Sequence, residues 1–192
     1  LARASGLLVS DEFPGFASTQ EGRVEALTLL SDEKLDAALR NHPSSEPAML
    51  RELSRQIPSE ALVFLGNSLP IREWNLAASL DIPHPRTFAS RGANGIDGQI
   101  ATFLGLSEGE AESWGIVGDL TALYDLNAPA LIDQLSRGRR RLVILNNGGG
   151  RIFSRLPSMA GLSEARKQVT ENRHSRRFAN WAAMWDLDYV SW

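Results

Sequence analysis

The chain has 192 residues, 43% hydrophobic and 22% charged, a composition typical of globular domains and unlike that of disordered or fibrous chains. It contains no cysteine, which excludes disulfides, thiolate metal sites and thiol catalysis. The net charge of −3 is unevenly distributed, because residues 137–192 carry 11 basic and 4 acidic side chains. No apolar run approaches the roughly 20 residues of a membrane-spanning helix.

Residues 1–58 differ in sequence pattern from the rest of the chain. Leu1–Phe16 is predicted to be irregular, and helices are predicted over Asp32–Arg40 and Pro47–Ile57, with the linker-like stretch Asn41–Glu46 between them. The second helix is indicated by a proline in its first turn and by apolar residues at helical spacing. We interpret residues 1–58 as a tail and connector.

From residue 59 onward, short apolar runs alternate with helical segments. The strands are predicted at Ala61–Leu65, Thr87–Ala89, Trp114–Val117, Leu142–Leu145 and Tyr189–Trp192. The helices are predicted at Ile71–Leu80, Ile96–Leu106, Leu123–Leu135 and Arg173–Met184. This alternation predicts an α/β fold in which helices flank a parallel sheet. Because the last predicted strand stops at the final residue, we expect the domain to be incomplete at its C-terminus.

A run of arginines precedes the strand at Leu142–Leu145, namely Arg137, Arg139, Arg140 and Arg141. No aromatic residue is interleaved with them, and the run leads directly into an apolar strand. We interpret it as a solvated strand entry and not as a nucleic-acid-binding patch. We therefore expect a cytoplasmic protein with no nucleic-acid partner and no membrane span.

Four loops that leave the predicted strands contain the unusual residues of the chain. They cover residues 66–72, 91–98, 118–123 and 146–153, and together they hold eight of the 16 glycines. Parallel α/β sheets bind ligands at the loops that follow the carboxyl ends of their strands. Glycine there lets the backbone approach a ligand closely or adopt left-handed conformations.

Asp119 and Asn147 follow two of these strands. A carboxylate and an amide oxygen, with a backbone carbonyl from the adjacent glycine run, are the hard ligands that Mg²⁺ or Ca²⁺ prefers. The loop Gly118–Leu123 also opens a predicted helix, whose free N–H groups favour a diphosphate. Either segment alone is more often a helix N-cap or a turn, but the two in this order favour a metal–diphosphate site.

Gly118-Asp119 followed by Asn146-Asn147 resembles the signature of thiamine-diphosphate (ThDP) binding. Four longer segments resemble the C-terminal, diphosphate-binding domain of the MenD family, the 2-succinyl-5-enolpyruvyl-6-hydroxy-3-cyclohexene-1-carboxylate (SEPHCHC) synthases. These segments are Gly66–Arg72, Ser90–Gly98, Gly118–Asn127 and Asn146–Ser154. The resemblance covers residues 59–192 and implies a ThDP-binding domain there, whereas residues 1–58 are similar only in position to the end of the family's middle domain and its linker.

The resemblance implies a role in cofactor binding for several loop residues. Mg²⁺ (or Mn²⁺) would be bound by Asp119, the side chain of Asn147 and the carbonyl of Gly149. Gly118, Thr121 and Ala122 would contact the diphosphate, and Ile96 would lie under the cofactor and keep its two rings folded toward each other. The residues themselves leave alternatives open, because capping explains Thr121 and ordinary core packing explains Ile96 as well.

The resemblance also implies substrate-binding residues. The family's substrates, 2-oxoglutarate and isochorismate, are dicarboxylates, and Arg72 and Arg91 would pair with their carboxylates while Ser68 adds a hydroxyl. An apolar wall would come from Ile152, Phe153 and Leu156. A plain N-cap explains Ser68 equally well, and core packing explains the three apolar residues.

Other conspicuous residues receive no functional role from the sequence. The histidines show no spacing to an acid or a nucleophile, the tryptophans are interpreted as packing residues, and Arg151 is assigned nothing. These residues are His42, His84, His174, Trp114, Trp181 and Trp185.

The activity implied is that of a ThDP-dependent carboligase, a transferase of menaquinone biosynthesis. Such an enzyme decarboxylates 2-oxoglutarate and adds the succinyl carbanion equivalent to isochorismate. The family's activating glutamate lies in the N-terminal pyrimidine-binding domain of a second subunit, and nothing in this chain matches that domain. We therefore expect the chain alone to be inactive and to act within a homodimer or homotetramer. The alternatives are another ThDP-dependent 2-oxo acid decarboxylase or carboligase, or a non-catalytic ThDP- or nucleotide-binding module.

Overall fold

The computed structural model describes residues 32–191. The predicted irregular segment Leu1–Phe16 and the final residue, Trp192, lie outside the described residues. Two compact units account for the described chain, one formed by residues 32–56 and 73–80 and the other by residues 57–72 and 81–191. All four loops singled out in the sequence belong to the second unit. The assignment of residues 1–58 and 59–192 to two domains stays a prediction.

Helices and strands alternate along the described chain. The α-helices are α1 (Asp32–Asn41), α2 (Glu46–Gln56), α3 (Leu69–Ala77), α4 (Gln99–Leu106), α5 (Asp119–Tyr124), α6 (Glu164–Thr170) and α7 (Ala179–Met184). The strands are β1 (Leu62–Leu65), β2 (Thr87–Phe88), β3 (Glu112–Gly118) and β4 (Arg139–Leu145). Three 3₁₀-helices cover Ala128–Gln134, Phe153–Arg155 and Pro157–Met159.

The first unit is a small helical assembly held by one apolar cluster and one arginine. Leu39 of α1, Ala48 of α2 and Ala77 of α3 pack together and are buried. Arg51 pairs with Asp36 and donates from Nε to the carbonyl oxygen of Ala77 at 2.8 Å. A cationic side chain at this position satisfies a carbonyl that the last turn of a helix leaves without an intrahelical partner.

The second unit contains a four-stranded parallel sheet in the order β2-β1-β3-β4. All four residues of β1 are buried, as expected for a continuous apolar run in a parallel sheet. Gly115 of β3 lies against Phe103 of α4, where an added Cβ would approach the phenyl ring to 2.8 Å. The predicted fold class, a parallel sheet flanked by helices, is confirmed.

The main core lies between the sheet and the helices that follow its strands. Phe64 of β1 and Phe103 of α4 are fully buried, with their ring centroids 6.4 Å apart. Phe178, just before α7, packs edge-on to Trp181 in the same core, and the Nε1 of Trp181 donates to the Leu126 carbonyl at 2.7 Å. This packing anchors α7 to the loop after α5.

The direction in which successive strands are added to the sheet reverses between β1 and β3, although all strands are parallel. From β1 the chain moves outward to β2 and then crosses back to place β3 on the other side of β1. Ligands of open parallel sheets bind at such a switch point, in the crevice outside the carboxyl ends of the strands. Loops 66–72 and 118–123 follow the two strands at this point, and the loops after β2 and β4 flank them.

Two predicted helices are wrong in extent. The segment Leu123–Leu135 is not one helix, because α5 ends at Tyr124 and a 3₁₀-helix with Pro129 in its first turn covers Ala128–Gln134. Between the two, the carboxylate of Asp125 accepts a hydrogen bond from the backbone N–H of Ala101 at 2.8 Å. Of the predicted helix Arg173–Met184, only α7 is helical, because the preceding residues form hydrogen bonds with the loop after β4.

Three further elements in the C-terminal part of the chain differ from the sequence analysis. Residues 189–191, the described part of the predicted strand Tyr189–Trp192, are not a strand. The helix α6 was not predicted, although Ser163 caps it by accepting from the Arg166 N–H at 3.5 Å. Strand β4 also begins earlier than predicted, at Arg139, so that Arg139, Arg140 and Arg141 form part of the strand. Among the described helices, none is long and apolar enough to cross a membrane.

Candidate functional site

The predicted site residues lie on the four loops at the carboxyl edge of the sheet, except for Leu156, which lies three residues after the last loop. Ser68 and Arg72 follow β1, and Arg91 and Ile96 lie between β2 and α4. Asp119 comes directly after β3, and the loop after β4 carries the remaining predicted cofactor ligands, Asn147 and Gly149.

Asp119 joins the loops after β3 and β4. Asp119 is 2% exposed, and its Oδ1 accepts a hydrogen bond from the backbone N–H of Leu120 at 2.7 Å. Its Oδ2 accepts from the backbone N–H groups of Gly148 and Gly149 at 2.8 and 2.9 Å. The structure therefore brings together the two segments that the sequence paired as a candidate metal site.

The backbone of the glycine run is shaped by a later segment of the chain. Gly148 and Gly149 have φ angles of +80° and +136°, in the region that favours glycine. A Cβ on Gly149 would lie 2.7 Å from the Glu171 carbonyl oxygen. The backbone N–H of Gly150 donates to that same oxygen at 2.5 Å, and the N–H of His174 donates to the Gly148 carbonyl at 3.1 Å. Residues 171–174 thus fold back onto the glycine run.

Glu171 fixes this segment with two arginines. Glu171 is 1% exposed, and its Oε2 accepts hydrogen bonds from Arg173 Nε at 2.6 Å and from Arg151 Nη1 at 3.2 Å. The hydrogen bond from the Arg173 guanidinium is the main reason why the pKa of the Glu171 carboxyl is lowered. Arg151 also donates from Nε to the carbonyl oxygen of Asn147 at 3.2 Å, which connects the ion pair to the glycine loop.

His174 contacts the central carboxylate. Its Nε2 lies 3.2 Å from Asp119 Oδ2, and its side chain is 10% exposed. The sequence assigned His174 no role, because the two residues lie far apart along the chain with no spacing that links them. Their contact depends on the segment that folds back onto the loop after β4. The sequence assigned no role to Arg151, Glu171 or Arg173 for the same reason.

The donor set around Asp119 fits a divalent cation that also binds phosphate. A carboxylate oxygen accepts about two hydrogen bonds, so the two N–H donors on Oδ2 and one on Oδ1 leave an acceptor position on Oδ1. Among residues 32–191, no group of three or more His, Asp or Glu side chains is placed to hold a metal. A cation here therefore needs neutral oxygens from the chain and further oxygens from its ligand, as Mg²⁺ does with phosphates.

The other predicted diphosphate contacts differ in what they offer. Gly118 leaves open space, since nothing lies within 4 Å of a Cβ built on it. Thr121 is buried on the short helix α5, and the methyl group of Ala122 packs in the main core. Ala122 therefore has only its backbone to offer a ligand.

Asn67 joins the loops after β1 and β2. Its Nδ2 donates to the carbonyl oxygens of Ala93 at 3.0 Å and Gly95 at 2.8 Å. Its Oδ1 accepts from Arg91 Nη1 at 3.1 Å. The structure therefore holds the exposed Arg91 against the first loop by a neutral amide, a contact that the sequence analysis did not anticipate.

Ser68 and Arg72 contact each other within the first loop and α3. Arg72 Nη1 donates to the Ser68 carbonyl oxygen at 2.6 Å. Ser68 has a φ of +75°, whereas an ordinary N-cap residue is extended. The N-cap interpretation of Ser68 is therefore disfavoured.

The predicted apolar residues are only partly covered. Ile96 and Ile152 are half-buried, whereas Phe153 and Leu156 are 40% and 46% exposed. Core packing therefore does not account for Phe153 and Leu156, which lie directly after the glycine run.

Fold and site together define a parallel α/β domain whose switch-point loops present one buried carboxylate, a glycine-rich loop and two arginines. No known protein-family model matches the chain. It is nevertheless similar to curated proteins that are named 2-succinyl-5-enolpyruvyl-6-hydroxy-3-cyclohexene-1-carboxylate synthase. The relative from Bdellovibrio bacteriovorus is 46% identical over 154 residues, which cover 80% of this chain and 28% of the relative.

Two further synthases of the same name show a similar match. The relative from Akkermansia muciniphila is 46% identical over 149 residues, 78% of this chain and 28% of its own length. The relative from Halorhodospira halophila is 41% identical over 169 residues, 88% of this chain and 30% of its own length. The resemblance to SEPHCHC synthases is thereby confirmed over most of the chain. The chain spans less than one third of the length of these relatives.

Proposed function

We propose that this chain is the diphosphate-binding part of a ThDP-dependent SEPHCHC synthase of menaquinone biosynthesis. The reaction releases CO₂ from 2-oxoglutarate and transfers the remaining succinyl unit to isochorismate. The observation that carries the proposal is the junction of Asp119 with the Gly148–Gly149 backbone, in a chain that is similar to proteins of that name.

The carboxylate side of the crevice would hold the cofactor. Asp119, the Asn147 side chain and the Gly149 carbonyl would bind Mg²⁺ or Mn²⁺, and the open space at Gly118 admits a diphosphate. Thr121 and the backbone of Ala122 would contribute donors, and Ile96 would support the rings from the opposite side. When bound, ThDP supplies the electron sink that decarboxylation of a 2-oxo acid requires.

The residues on the other side would bind and orient the substrates. A guanidinium has five N–H donors, of which the Ser68 carbonyl takes one from Arg72 and the Asn67 amide takes one from Arg91. Both arginines are exposed, so their remaining donors are available to pair with carboxylates. Ser68 would add its hydroxyl.

An apolar wall would complete the pocket. The partly exposed side chains of Phe153 and Leu156, together with Ile152, would pack against the hydrocarbon part of a substrate and exclude water from it. Exclusion of water strengthens the ion pairs that the arginines form.

The proposed enzyme is an oligomer. We infer that the pyrimidine-binding domain with the activating glutamate is provided by a second subunit, within a homodimer or homotetramer. The chain alone would then not turn over substrate. The cytoplasmic location stays a prediction.

Calorimetric titration of ThDP into the complete enzyme, with Mg²⁺ and with a chelator in its place, tests the cofactor. We expect heat of binding only with the metal, and no binding in either case would contradict the proposal. CO₂ release by the complete enzyme from 2-oxoglutarate or pyruvate tests the substrate. Preference for pyruvate would indicate a different ThDP-dependent decarboxylase, and binding without turnover of either acid would indicate a non-catalytic module.

A further inference from the structure

We propose that Asn67 is a positioning residue that fixes Arg91 and the loop of residues 92–98 in the geometry that binds the substrate carboxylate. The inference rests on the proposed function for the substrate, but its structural part concerns the chain alone. The residue lies at the end of β1, beside the switch point, and is 1% exposed.

All hydrogen-bonding atoms of the Asn67 side chain are engaged by the neighbouring loop. Nδ2 donates its two hydrogens to the carbonyl oxygens of Ala93 and Gly95, at 3.0 and 2.8 Å. Oδ1 accepts from Arg91 at 3.1 Å. One side chain therefore contacts the loop at three separate residues, which restricts both its backbone and the arginine that precedes it.

A second buried amide supports the first. The backbone N–H of Asn67 donates to Gln99 Oε1 at 2.8 Å, and the Nε2 of Gln99 donates to the same Gly95 carbonyl that Asn67 contacts. Gln99 is the first residue of α4 and is also buried. The Gly95 carbonyl, adjacent to Ile96, thus accepts from Asn67, which follows β1, and from Gln99, which begins α4.

This arrangement requires a side chain that both donates and accepts. The two carbonyls need donors and the arginine needs an acceptor, and a primary amide provides both in one planar group. Aspartate has the same shape but only acceptors, so it would keep the contact with Arg91 and place a negative charge against two carbonyl oxygens. Glutamine is one methylene too long for a fully buried site.

The functional consequence is a preset direction for Arg91. The amide takes one of its five N–H groups and leaves the others to a ligand, while the guanidinium loses the freedom to turn away from the crevice. An arginine that is oriented before binding loses less conformational entropy when it pairs with a carboxylate. Release of the loop should therefore weaken substrate binding more than it slows turnover.

Asn67→Asp and Asn67→Ala, with Asn180→Asp as the control, test the proposal. Asn180 is exposed on α7 and belongs to none of the four loops. In the chain without ligands, both Asn67 variants should raise amide hydrogen exchange of residues 92–98 by about tenfold or more, with no change at residues 142–145 in β4. In the complete enzyme, KM for 2-oxoglutarate should rise by about tenfold or more while kcat changes by less than about threefold.

The two readouts separate the ways in which the inference can fail. Unchanged exchange at residues 92–98 in the Asn67 variants overturns the positioning role, whatever the kinetics show. Raised exchange with an unchanged KM overturns its link to substrate binding. If the unsubstituted complete enzyme does not turn over 2-oxoglutarate, the proposed function fails, and the exchange measurement still decides whether Asn67 holds the loop.

A milder variant covers the case in which the Asn67 variants do not fold. Gln99→Glu keeps the acceptor for the Asn67 N–H, removes the donor to the Gly95 carbonyl and places a negative charge beside that oxygen. Exchange at residues 92–98 should then rise, by less than the Asn67 variants would produce. An unchanged exchange rate there overturns the part of the inference in which hydrogen bonds to the Gly95 carbonyl hold the loop.

Discussion

Each side of the switch-point crevice is held by one buried side chain, and the two side chains differ in the hydrogen bonds that they form. We call loops 66–72 and 91–98 the amide half, and loops 118–123 and 146–153 the carboxylate half. In the amide half, Asn67 donates to two backbone carbonyls and accepts from Arg91. In the carboxylate half, Asp119 accepts from three backbone N–H groups.

This difference separates charge across the crevice. The amide half is held by neutral groups, so the positive charges of Arg72 and Arg91 stay available to anions. The carboxylate half contains a buried negative charge that backbone N–H groups solvate, which favours a cation beside it. The comparison teaches that one sheet edge can present exposed positive charge beside a buried negative charge, because one half is built around a neutral amide and the other around a carboxylate.

Removal of the negative charge of Asp119 should have the largest effect on cofactor binding. Asp119→Asn turns an amide NH₂ toward backbone N–H donors, and each buried donor left unsatisfied costs roughly 1–3 kcal/mol. We expect loss of Mg²⁺-dependent ThDP binding by calorimetry, with lower stability in urea unfolding. Asp133→Asn, at an exposed position of a 3₁₀-helix, is the control. Unchanged ThDP affinity in Asp119→Asn would show that the metal assignment is wrong.

Substitution of Glu171 should have the next largest effect, which should be confined to metal binding by the carboxylate half. Glu171→Ala removes the group that joins Arg151 to Arg173, and loss of an outer support of a metal site costs about 10–100-fold in metal affinity. Glu171→Gln keeps an acceptor for the arginines and should lose less. The measurement is the Mg²⁺ dependence of ThDP binding, and equal affinities in both variants and the unsubstituted chain would contradict a supporting role.

The arginines of the amide half should affect substrate and spare the cofactor. Loss of a hydrogen bond to a charged group costs about 1.5–3 kcal/mol, so Arg72→Ala or Arg91→Ala should raise KM by about 10- to 150-fold. ThDP affinity should stay unchanged in both variants. Steady-state kinetics with each dicarboxylate and calorimetry with ThDP check the two parts. An arginine whose removal leaves both KM values unchanged has been assigned the wrong role.

The smallest effect is expected at the opposite edge of the sheet, outside both halves. Arg86 and Glu110 form a two-bond ion pair just before β2 and β3, with distances of 2.7 and 2.5 Å. The hydrogen bond from Arg86 lowers the pKa of the Glu110 carboxyl. A lowered pKa stabilises the folded chain above the pKa of the unfolded state, and this contribution disappears as the pH falls through the folded-state pKa.

Glu110→Gln tests this pH dependence. The variant should be slightly less stable than the unsubstituted chain near pH 7, because exposed pairs contribute little, and the difference should shrink as the pH falls below about 4. Urea unfolding at several pH values measures it. A difference in stability that does not change with pH would contradict the ion-pair explanation, and changed ThDP binding would contradict the separation of this edge from the site.

The sequence predicted the sheet well because its strands depend on local composition. The continuous apolar run at Leu62–Leu65 identifies a buried strand without any tertiary information. The start of β4 was missed because Arg139–Arg141 lack apolar character. Their positions depend on pairing with β3, where Arg141 lies 4.6 Å from the centre of the Trp114 ring and pairs with Glu112.

The candidate site was predictable only where its residues belong to loops that directly follow strands. Asp119 and the glycine run could be paired in this way, since neighbouring parallel strands end at one edge. His174, Glu171 and Asn67 could not be assigned. The first two reach the site through a segment whose hydrogen bonds to the glycine run replace the predicted helix, and the role of Asn67 depends on which carbonyls the next loop presents.

The left-handed backbone of Ser68 implies a trade-off between stability and activity. A non-glycine residue at a φ of +75° carries a conformational strain of about 1 kcal/mol or more. Ser68→Gly should therefore unfold at higher urea concentration, because glycine adopts this conformation without that strain. The same variant removes the hydroxyl proposed to contact the substrate and should lower kcat/KM, so the more stable protein would be the poorer enzyme.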